Sequence, residues 1–182
     1  MGKFGLIAGL IFLCATGALA QSVQGIHANI SSSPLQLGVG YTFVAFQASP
    51  SSTKYQNGVD ASVVYYQEWI GVEGDFSDGF GTSAGKNTQL LFGGGGLRVR
   101  WQRPMAFEPW AHLVVGGAHL TPKIANDVSG FGFKLGAGAD FRPQRSPVAL
   151  RVSVDMLTTQ LFGTYQVSPE ASAGIVISLG RH

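Results

Sequence analysis

Residues Phe131 to Arg142, FGFKLGAGADFR, constrain this chain more than any other stretch. Phe131, Phe133, Leu135, Ala137, Ala139 and Phe141 alternate one for one with Gly132, Lys134, Gly136, Gly138, Asp140 and Arg142. A strict period of two belongs to a strand, and it sets an apolar face against a face of glycines and charges. On a water-soluble sheet the charged face would be the solvent face, with room for long side chains. Here half of that face is glycine, as in the crowded interior of a closed barrel, which leaves the apolar face to look outward.

The same alternation recurs along the chain. It predicts strands near Leu35 to Phe43, Val59 to Tyr66, Ile70 to Phe76, Thr88 to Trp101, Phe107 to His119, Val148 to Met156 and Ala171 to Leu179, eight in all with the stretch above. Between them, 47–57, 77–87, 121–129 and 158–170 have loop composition, whereas the connections near 67–69, 102–105 and 143–147 are short. Long and short connections thus alternate from the first strand to the last. That is the threading of an even-numbered outer-membrane barrel, with long loops outside the cell and tight turns in the periplasm. Strands of about 9 to 11 residues suffice to cross a bilayer at a tilt.

The charges choose one face. Asp60, Glu73, Asp75, Arg98, Arg100, Lys134, Asp140, Arg142, Arg151 and Asp155 fall on the glycine-bearing side of their strands. A cation on the lipid side would cost roughly 2–4 kcal/mol at the membrane midplane, so a consistent choice of face carries information. Enclosed charges need partners, and five acids with five bases can supply them. The expectation is a lumen plugged by an ionic and hydrogen-bonded network.

The first 20 residues read as a cleaved signal peptide: Lys3, an apolar run from Phe4 to Leu19, and the Ala-x-Ala site Ala18-Leu19-Ala20. Cys14, the single cysteine, lies inside it, so neither a disulfide nor a cysteine metal site is expected in the mature chain. Residues 21–34 form a Ser-rich polar lead-in, and 35–182 the barrel. Charged residues make up only 12 % of the chain beside 45 % hydrophobic residues and 26 glycines, a balance suited to a wall that faces lipid. Neither a basic nucleic-acid footprint nor an acidic tail is present.

The chain resembles the outer-membrane β-barrel family of OmpA-like and OmpX-like proteins, small barrels of about eight strands. The resemblance rests on WIGVEGDFSDGFG at 69–81, LLFGGGGLRVRW at 90–101, WAHLVVGGAH at 110–119, FKLGAGADFR at 133–142 and VALRVSVDM at 148–156. It implies an all-β, eight-stranded, antiparallel up-and-down transmembrane barrel in the bacterial outer membrane. It also implies outer-membrane lipid and lipopolysaccharide as surroundings, and the barrel-assembly machinery as a partner during biogenesis. Family members usually end on an aromatic residue that this machinery reads; here the end is Leu179-Gly180-Arg181-His182. With no further segment after the barrel, the peptidoglycan-binding domain of OmpA itself is not expected.

Motifs for chemistry are sparse. Gly93 to Gly96 lies inside a strand with no phosphate-binding continuation, and 85–88 lacks the hydroxyl residue that a P-loop needs after Lys86. His112 and His119 are seven apart on one strand, so they face opposite ways and cannot share a metal; His112 reads as a lumen residue and His119 as interfacial. No cofactor and no metal are expected. The expected function is non-enzymatic, structural or surface-directed, in a monomer, with Tyr55, Phe80, Phe162 and Tyr165 in or beside the outer loops as contact residues. A narrow solute channel is the alternative, and a lipid A-modifying enzyme the third reading. For the last, no His-x-Ser occurs on one strand face, and the nearest hydroxyl after His119 is Thr121.

Overall fold

The computed structural model describes residues 34–49, 52–83, 86–101, 106–122, 127–143, 146–161 and 164–179. The expected signal peptide, nearly all of the lead-in, Phe162 and the last three residues lie outside the described residues. Eight strands follow in chain order: β1 (Leu35–Ser49), β2 (Ser52–Gln67), β3 (Ile70–Ser83), β4 (Lys86–Arg100), β5 (Phe107–Pro122), β6 (Val128–Phe141), β7 (Val148–Leu161) and β8 (Thr164–Leu179). Each pairs antiparallel with its neighbours in sequence, and β1 closes on β8 from Leu35↔Leu179 to Val44↔Glu170. The barrel therefore has no free edge, the condition for strands to stand in hydrocarbon.

The alternation read from the sequence decides which way each side chain points. On β7, Val148, Leu150, Val152, Val154 and Met156 are exposed while Ala149, Arg151, Ser153, Asp155 and Leu157 are buried. Aromatic residues mark two levels on the outside. Tyr55 and Tyr65 on β2, like Phe131 and Phe141 on β6, stand ten residues apart. Ten residues span about 33 Å of strand, or about 25 Å along the membrane normal at a tilt near 40°, the height of an outer-membrane apolar band. Phe43 stacks on Tyr55 at the upper level (5.4 Å between centroids) and Phe107 meets Phe141 at the lower (5.1 Å).

Two expectations are corrected. The stretches 47–57, 77–87 and 158–170 are mostly strand rather than long loop: β1 runs to Ser49, β2 begins at Ser52, β3 ends at Ser83, β4 begins at Lys86, β7 runs to Leu161 and β8 begins at Thr164. The strands are 14–16 residues long, so paired hairpins continue several residues past the band. Tyr55, Phe80 and Tyr165 accordingly sit on β2, β3 and β8, outward and exposed, not in loops. The second correction is Arg142, which lies past the end of β6. Its Nη1 donates to the carbonyls of Ser146 (3.3 Å) and Pro147 (3.1 Å), tying the β6–β7 connection instead of entering the lumen.

At the opposite end from the long hairpins, β2 turns into β3 through Glu68 and Trp69 alone, with Glu68 at φ 60°. Arg100 secures this strained turn by donating from Nε and Nη2 to the Glu68 carbonyl at 3.2 and 3.1 Å.

The inward glycines are space, not flexibility. A Cβ on Gly138 would lie 2.4 Å from Trp110 Cζ2 and 2.5 Å from the Val152 carbonyl oxygen. Gly138→Leu is expected to cost about 1–3 kcal/mol of overpacking, read as a lower urea midpoint for the barrel in detergent micelles. The run Gly93 to Gly96 divides in the same way. A Cβ on Gly94 or Gly96 would meet backbone of β5, while those on Gly93 and Gly95 would meet almost nothing.

Candidate functional site

The lumen is filled in two storeys. The outer half holds an apolar plug of Val44, Leu90, Phe92, Val114, Ala118, Leu120, Leu157 and Leu161, with Val128 against it. Below it lies an ionic storey, built because inward positions of seven strands, β2 to β8, bring charged or titratable side chains to similar depth.

Arg98 begins the first chain of contacts. Its Nε donates to Glu73 Oε2 at 3.0 Å and its Nη2 to Glu73 Oε1, a two-pronged pair between adjacent strands. Glu73 Oε2 also meets His112 Nδ1 at 3.0 Å, and His112 Nε2 meets Asp155 Oδ1 at 2.8 Å across the barrel. A neutral imidazole can donate to only one of those carboxylates; an imidazolium donates to both. Ser153 Oγ donates to Asp155 Oδ2 at 3.0 Å and contacts Ser172 Oγ at 2.7 Å. One chain of contacts thus joins β4, β3, β5, β7 and β8.

Lys134 centres the second group. Its ammonium lies 2.8 Å from Asp75 Oδ1, 3.2 Å from Ser77 Oγ and 3.3 Å from Glu170 Oε2, so one cation on β6 serves carboxylates on β3 and β8. Phe92 of the apolar plug sits above it, 5.1 Å from Nζ to the ring centroid. Arg151 centres the third. It donates from Nε and Nη2 to Asp140 at 2.7 and 2.8 Å and from Nη1 to Ser62 at 3.2 Å. Trp110 Nε1 donates to the same Asp140 at 3.0 Å, and its ring lies under both Arg98 (3.9 Å) and Arg151 (4.9 Å). Arg100 lies over the Tyr66 ring at 3.7 Å and 3.6 Å from Glu108.

Of the residues proposed from the sequence, Asp60, Glu73, Asp75, Arg98, Arg100, Lys134, Asp140, Arg151 and Asp155 project inward, and Arg142 does not. Glu170 and Glu108 escaped that reading. The balance of five and five becomes, among the described residues, seven carboxylates against Arg98, Arg100, Lys134, Arg151 and His112. Glu170 carried a readable signal: it keeps step with Ser172, Gly174, Val176 and Ser178 on the inward face of β8.

A cavity of about 20 Å³ lies among Asp60, Asp75, His112, Lys134, Arg151 and Asp155, room for about one water. Among the described residues no group of His, Cys, Asp or Glu has the arrangement to hold a metal ion.

No protein-family model and no curated protein matches the sequence. Solved structures do match in shape. Neisserial surface protein A superposes with a TM-score of 0.66 at 14 % identity, covering 82 % of this chain and 99 % of that one. The outer membrane protein OprG from Pseudomonas aeruginosa gives 0.55 at 11 % identity, over 82 % and 97 %. The outer membrane enzyme PagL gives 0.52 at 14 % identity, over 79 % and 99 %. With its closed ladder, its outward apolar band and these likenesses together, the chain has the fold of the small eight-stranded outer-membrane β-barrels.

Proposed function

We propose that this protein is an integral outer-membrane barrel whose lumen is a strut rather than a conduit, and which meets its surroundings through the hairpins that rise above the membrane. The observation that carries the reading is the filled lumen: an apolar plug over an ionic storey with room for about one water. Eight-stranded barrels have interiors that side chains just fill, so a solute path would require several of these buried pairs to part together. The extended hairpins support an outward-facing role, structural or in surface contact, with exposed Tyr55, Phe80 and Tyr165 as anchors near the outer interface. Outer-leaflet lipopolysaccharide as surroundings, the barrel-assembly machinery during insertion and a monomeric unit belong to this reading.

Single-channel recording on the purified barrel tests it. The protein, first shown to be closed by a band that changes mobility on heating, is expected to give no steady conductance in a planar bilayer. Steady, voltage-stable openings would overturn the plugged lumen in favour of a narrow channel.

A further inference from the structure

The outward side of β5 carries a second constellation, facing away from His112. His119 on β5 and Ser129 on β6 are register partners, and both point outward between inward neighbours such as Ala118 and Leu120. Ser129 Oγ lies 2.8 Å from His119 Nδ1, and His119 Nε2 lies 3.8 Å from Asp127 Oδ2. The His119 and Asp127 side chains are 42 % and 56 % exposed, so a ligand can reach them. Hydroxyl, imidazole and carboxylate stand in the order nucleophile, base and orienting acid. The missing His-x-Ser is replaced by a pair that spans two strands, which no local motif reveals.

Depth supplies the second part of the argument. Ser129 is the next outward residue beyond Phe131, the upper aromatic on β6. The cluster therefore sits just outside the hydrocarbon, at the level where the ester carbonyls of outer-leaflet lipids lie. A structural hydrogen bond has no need of that depth or exposure, whereas an acyl-ester hydrolase working on membrane lipid needs both.

We propose that Ser129, His119 and Asp127 form a hydrolytic site for acyl esters of outer-leaflet lipid. This goes beyond the expectation of a non-enzymatic barrel and does not depend on the plugged lumen. Ser129 Oγ attacks the ester carbonyl carbon while its proton passes to His119 Nδ1. The carbon–alkoxy bond breaks, and the alcohol leaves with that proton, giving an acyl-Ser129 ester. Water then attacks the acyl carbon, giving one proton to His119 Nδ1. Ser129 Oγ departs and takes that proton back, and the fatty acid is released. Asp127 holds the Nε2–H through its charge; at 3.8 Å a small rotation of either side chain completes the hydrogen bond, as often happens only when substrate is bound.

The test uses the full barrel in detergent micelles, with folding of each form checked by the heat-dependent gel shift. A long-chain alkyl fluorophosphonate is expected to label the wild type on Ser129, read by peptide mass spectrometry. Fatty acid should be released from mixed micelles of phosphatidylethanolamine or of lipopolysaccharide; release from either supports the site, and the lipid cleaved names the source. Ser129→Ala should abolish the label and lower release at least about 100-fold, and His119→Gln should lower release about 100-fold. Absence of both label and release in the folded wild type, a result that needs no variant, would overturn the proposal. So would equal release by folded Ser129→Ala.

Discussion

Lys134→Met is expected to lower the stability of the barrel by about 3–5 kcal/mol, the usual result of removing one partner from a buried ionic group. The size follows from how many groups depend on the ammonium. Asp75 and Glu170 reach it from two other strands at 2.8 and 3.3 Å, and Ser77 Oγ accepts from it at 3.2 Å. Methionine keeps the length and the contact with Phe92, so little packing is lost; the cost is two carboxylates left facing each other in an enclosed space. Urea titration in micelles, followed by tryptophan fluorescence, measures it. Adding Glu170→Gln to Lys134→Met should recover part of the loss, because it removes one stranded charge. An unchanged midpoint for Lys134→Met alone would mean that the ionic storey does not hold the barrel together.

The same storey shows where the sequence spoke clearly and where it fell silent. Period-two alternation is visible only where one face is apolar and the other is not. On β6 and β7 this holds through the membrane band, which is why Phe131 to Phe141 and Val148 to Met156 can be oriented residue by residue. Elsewhere it fails in two ways. On β2, Tyr55, Gln56 and Asn57 have polar or amphipathic groups on both faces, and the segment reads as loop although it is paired with β1 and β3. Within the band, on β4 and β5, Leu90, Leu91 and Phe92 or Leu113, Val114 and Val115 are apolar on both faces, because the lumen there is filled by the plug and the outside meets lipid. The plug was therefore invisible as a plug, and the strands were cut short at their outer ends. Glu170 was lost with the shortened β8, and His119, Ser129 and Asp127 were not joined because their meeting depends on the β5–β6 register, which alternation does not fix.

Leu135→Arg is the sharpest test of which solvent the wall faces. Leu135 lies on the outward side of β6, 56 % exposed, and near the midpoint between the aromatic levels at Phe131 and Phe141. On a barrel standing in water, an arginine there would be solvated at once and the change would be close to neutral, as for most surface positions. In a bilayer the guanidinium must shed water or drag it inward, and the expected cost is about 2–4 kcal/mol, read by reversible urea titration after refolding into thin-lipid vesicles. The control is an arginine at the edge of the band: Gln160→Arg, outward on β7 one residue past the Gly132↔Thr159 pair and so level with Phe131, should change the midpoint by less than about 1 kcal/mol. Only a lipid-facing wall makes the penalty depend on height along one barrel. A flat response at both positions would assign the exposed apolar band to some cover other than membrane, and with it would fall the reason for expecting the charges to gather inside.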